Sequence, residues 1–94
     1  MTDAALLVAC KTGLNIPVTS LAFDGVLNQK LLAVKGYMKG AGVSDVTLET
    51  DLSVGVIVMG VTDLWNISSG DIKFSPVFHT LLTQLAISSL PKIT

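Results

Sequence analysis

Apolar positions recur at helical spacing along most of this chain, and the densest stretch is Asp51–Trp65. Within it Val54, Ile57, Val58, Val61, Leu64 and Trp65 fall at i, i+3, i+4, i+7, i+10 and i+11, one continuous face at the 3.6-residue period. Val54, Val56 and Val58 also alternate, and β-branched side chains suit a pleated surface. Length decides against a strand: no proline or turn cluster interrupts the stretch, which far exceeds the usual strand of about 5–6 residues. Leu52, Gly55, Val56, Met59 and Gly60 make the opposite face apolar too, so the pattern predicts a central helix buried on both sides. Gly55 and Gly60 each cost about 1 kcal/mol relative to Ala in a helix interior. Their presence predicts close contacts that a Cβ would block.

The flanking pattern predicts three further helices. Thr2 or Asp3 caps the first, which runs to about Thr12, with Gly13 supplying a positive-φ stop. Residues 15–20 then form a connector in which Pro17 biases Ile16 toward an extended conformation, leaving the first helix free to swing as a unit. Over about residues 20–39, Phe23, Val26, Leu27, Leu31, Val34 and Met38 make one face, with Gly25, Asn28, Gln29, Lys35 and Lys39 opposite. Gly40-Ala41-Gly42 ends that helix, Ser44 caps a short turn, and Thr50 caps the central helix. Residues 66–74 read as an exposed loop with some extended structure. Ser75 and Pro76 then open the last helix as N-cap and first helical residue. Val77, Phe78, Leu81, Leu82 and Leu85 form its apolar face, and Pro91 prevents its continuation. The expected architecture is all-α: one small four-helix domain over residues 1–94, with 88–94 as a short C-terminal tail.

Composition adds a need for partners. Half of the 94 residues are hydrophobic and 14% are charged, whereas soluble domains average about 25% charged. No stretch reaches the roughly 18 unbroken apolar residues of a membrane span, so the surplus apolar surface predicts protein–protein burial. The net charge is −1, and the six basic residues are all lysine. Nucleic-acid binding is disfavoured, since phosphate readers use basic patches and Arg is the preferred bidentate donor. Lys30, Lys35 and Lys39 read as a solvated helix face. Asp3 precedes the short apolar run 4–10, unlike the basic start of a signal peptide, so cytoplasmic synthesis is expected.

Reactive groups are few. A Cys10–His79 dyad would need an activated thiol and a third orienting group, whereas a cysteine within an apolar helix packs in the core. His79 lies with Thr80, Thr83 and Gln84 on the polar side of the last helix. Asp45, Glu49 and Asp51 lack the ligand alternation of a calcium loop and instead suit helix N-termini. Gly36, Gly40 and Gly42 end a helix where a phosphate loop would open one. No catalytic, metal or cofactor site is expected. Trp65, at a helix end beside a loop, reads either as core or as an interface anchor.

Taken in order, Asp51-Leu52, Gly55-Val56, Asp63-Leu64-Trp65-Asn66, Ser69-Gly70 and Phe74-Ser75-Pro76 before a leucine-rich helix resemble the head–tail connector (adaptor, or head-completion) proteins of tailed bacteriophages and prophages. The resemblance extends over roughly residues 4–88. It implies a non-enzymatic virion protein, made in the bacterial host cytoplasm, that assembles as a dodecameric ring under the portal protein at the neck. It further implies that the ring extends the DNA channel without sequence-specific binding and docks the next neck or tail-completion protein. Trp65, Ile67, Ser69, Gly70, Ile72, Lys73 and Phe74 are the expected subunit or partner contacts, the other reading of this segment being a loop folded back on its own domain. The alternative is a small cytoplasmic helical oligomerisation module with a regulatory protein partner.

Overall fold

The computed structural model describes residues 2–66 and 74–90, which form five α-helices and no strand. They are α1 (Asp3–Gly13), α2 (Asp24–Gly40), α3 (Asp45–Leu48), α4 (Asp51–Trp65) and α5 (Pro76–Ser88). The domain is all-α as expected, and the turn foreseen at Ser44 is itself a one-turn helix, α3. The expected loop at 67–73 and the tail at 91–94 lie outside the described residues.

Caps explain the helix starts. Thr2 Oγ1 accepts from Ala5 N at 3.1 Å, Ser44 Oγ from Thr47 N at 3.2 Å, and Ser75 Oγ from Phe78 N at 3.2 Å. Each satisfies a donor that the first helical turn leaves free. Thr50 occupies the N-cap of α4 without a side-chain bond to it, because its hydroxyl donates back to Thr47 O at 2.6 Å. Ser53 completes that junction: its buried hydroxyl lies 2.8 Å from Leu48 O and 2.9 Å from Thr50 O.

Helix α4 touches each of the other four helices. Val56, Ile57, Gly60 and Val61 are buried along it, against a core that includes Leu6 and Cys10 of α1, Leu27, Leu31, Val34 and Met38 of α2, and Phe78, Leu82 and Leu85 of α5. Gly60 marks the tightest approach. A Cβ there would stand 2.7 Å from Phe78 Cε2 and 2.8 Å from Val34 Cγ1, so α2 and α5 converge on α4 where only a hydrogen fits.

Four expectations change. Gly55 is exposed and has open space where its Cβ would be, and Leu52 is 74% exposed. Among the described residues, the N-terminal half of α4 therefore keeps one apolar strip, at Leu52 and Gly55, uncovered. Gly13 is a helical residue whose Cβ would meet Val58 Cγ1 at 2.9 Å, and the positive φ belongs to Asn15 at 59°. Phe23, Val26 and Val77 are 42%, 47% and 56% exposed, since each sits in the first turn or just before it, at the margin of the core. Finally, α1 is not free to swing: Leu6 and Cys10 are core residues, and Lys11 fastens its end.

Candidate functional site

Lys11 is the one buried charged residue among those described, 3% exposed. Its ammonium donates to Ser20 O at 2.8 Å and Val18 O at 3.3 Å and pairs with Asp24 Oδ1. A charge taken out of water is tolerated only when such partners replace hydration. One side chain thus ties the end of α1, the connector and the first turn of α2. The connector carries its own turns, Ser20 N to Pro17 O at 2.9 Å and Asp24 N to Leu21 O at 3.3 Å. On its outside are Val18, Leu21 and Phe23, all exposed. Sequence reading missed this role, although Leu7 and Leu14, at i−4 and i+3 from Lys11, marked its face as apolar.

Two expected contact residues, Trp65 and Phe74, are half-buried and serve their own domain. Trp65 meets Phe23 edge-on at a centroid separation of 5.4 Å. Phe74 stacks on Phe78 at 4.4 Å and lies 4.9 Å from Tyr37. Ile67, Ser69, Gly70, Ile72 and Lys73 fall outside the described residues. The two ends of that segment are nonetheless fastened together. Asp63 Oδ2 accepts a hydrogen bond from Ser75 N at 2.9 Å, joining the Asp-Leu-Trp-Asn and Phe-Ser-Pro pieces directly.

An open groove of about 430 Å³ runs between the C-terminal end of α2 and the outer side of α5. Tyr37, Ala41 and Gly42 line one wall. His79, Leu82, Thr83, Ala86, Ile87 and Leu90 line the other, at i, i+3, i+4, i+7, i+8 and i+11, a second helical face beside the core-facing one. That spacing was legible in the sequence. The sequence reading places Leu82 on the core face and His79 and Thr83 on the polar side, which divides this face between two others.

Cys10 and His79, the two reactive groups, are not brought together: Cys10 belongs to the core, and His79 lines the groove. Cys10 is buried, and burial pushes its thiol up to about 11, the opposite of the activation a nucleophile needs. His79 is exposed on α5, its ring edge-on to Phe78 at 5.9 Å. Among the described residues no group of three or more His, Cys, Asp or Glu could hold a metal ion, and no helix is long and apolar enough to cross a membrane. Lys35 pairs with Asp3 at 2.9 Å and Lys39 with Asp45 at 2.7 Å. Lys30 Nζ lies 3.5 Å from Leu64 O, at the carbonyl end of α4 where a cation is favourable. The α2 lysines are thus engaged with neighbouring elements, beyond a plain solvated face.

Comparison with protein families, with curated proteins and with solved structures finds no match.

Proposed function

We propose that this protein is a structural, non-catalytic virion subunit of the head–tail connector type. It forms a ring beneath the portal protein, extends the DNA channel and docks the next neck or tail-completion protein. The observation that carries this reading is the Asp63–Ser75 hydrogen bond. It unites two separated members of the ordered motif set at the base of the segment 67–73, giving both motifs one physical purpose. The uncovered apolar residues support an assembly role, because large exposed apolar surface marks interaction sites. Passage of DNA without sequence reading agrees with the absence of arginine and with the pairing of Lys11, Lys35 and Lys39 to aspartates.

The free subunit is mainly monomeric when dilute, and the portal templates the ring. Mixing the purified chain with the portal protein of the phage or prophage that carries it, followed by native mass measurement and particle imaging, tests this. A complex with a ring of this chain on the portal is expected. A chain that ignores the portal and associates with a host regulator overturns the connector reading in favour of a helical oligomerisation module.

A further inference from the structure

We draw no further inference here: the strongest candidate, the apolar groove between the C-terminal end of α2 and the outer side of α5, carries nothing because nothing in the structure shows what covers it.

Discussion

Gly55 and Gly60 sit on the same helix in opposite surroundings, and substitution should separate them. Gly60→Ala drives a methyl to within 2.7 Å of Phe78 Cε2 and should cost about 1–3 kcal/mol, with Gly60→Leu worse. Gly55→Ala enters open space and should stabilise by up to about 1 kcal/mol through helix propensity. Thermal melting of the two variants checks both signs. Cys10 supplies a pH dependence. Its folded thiol titrates at about 11 against 9.0 for the ordinary group, so below pH 9 both states are protonated and the burial benefit is intact. As pH rises from 9 through 11 the unfolded state loses its proton first, and stability falls by on the order of 2 kcal/mol. Cys10→Ala should flatten the alkaline slope of denaturant stability relative to the parent, whatever its effect at neutral pH. Among residues, burial of Cys10 and the tight contact at Gly60 were legible in the sequence. The same argument misjudged Gly55, because propensity cost signals a contact only where a neighbouring helix arrives.

At the level of elements, α4 was readable to the residue because its length and uninterrupted apolar run outweighed its β-branched content. Ser44 and Ser75 were readable as caps for a local reason, since a hydroxyl two or three residues before an amide can reach it. The connector between α1 and α2 was not readable as a fixed structure. Its rigidity depends on Lys11, and periodicity cannot say whether a lysine near an apolar face reaches water or turns inward. Lys11→Met should therefore act on three elements at once. It removes the donor to Val18 O and Ser20 O and leaves Asp24 partly buried without its cation. Asp24 retains some solvent access, which places the cost at the low end of a broken buried pair, about 3 kcal/mol. Denaturant unfolding should register that loss, and hydrogen exchange should quicken at the Ser20 and Asp24 amides. Unchanged exchange at both would mean that the connector's own turns hold it and that the lysine is incidental.

For the whole molecule, the sequence points to Trp65, Ile67, Ser69, Gly70, Ile72, Lys73 and Phe74 as subunit or partner contacts, and the structure describes two of these, Trp65 and Phe74. Trp65 and Phe74 already have intramolecular partners in Phe23 and in Phe78 with Tyr37, so their aromatic surface is largely committed to the fold. The other expected contacts, Ile67 and Ile72 among them, lie outside the described residues, and under the proposed connector function they are the candidates for assembly contacts. The two roles predict different failures. Phe74→Ser removes a ring stacked at 4.4 Å on the buried Phe78, and should lower the monomer's stability by about 2–4 kcal/mol. Ile72→Ser should leave the isolated domain's melting temperature unchanged and abolish its incorporation into portal-bound rings, since an apolar anchor that is buried on docking contributes up to a few kcal/mol. Melting of the purified variants, set beside their occupancy in portal complexes, resolves the two effects. Normal occupancy for Ile72→Ser would remove Ile72 from the assembly contacts, whereas a destabilised monomer would mean that Ile72 packs on its own domain.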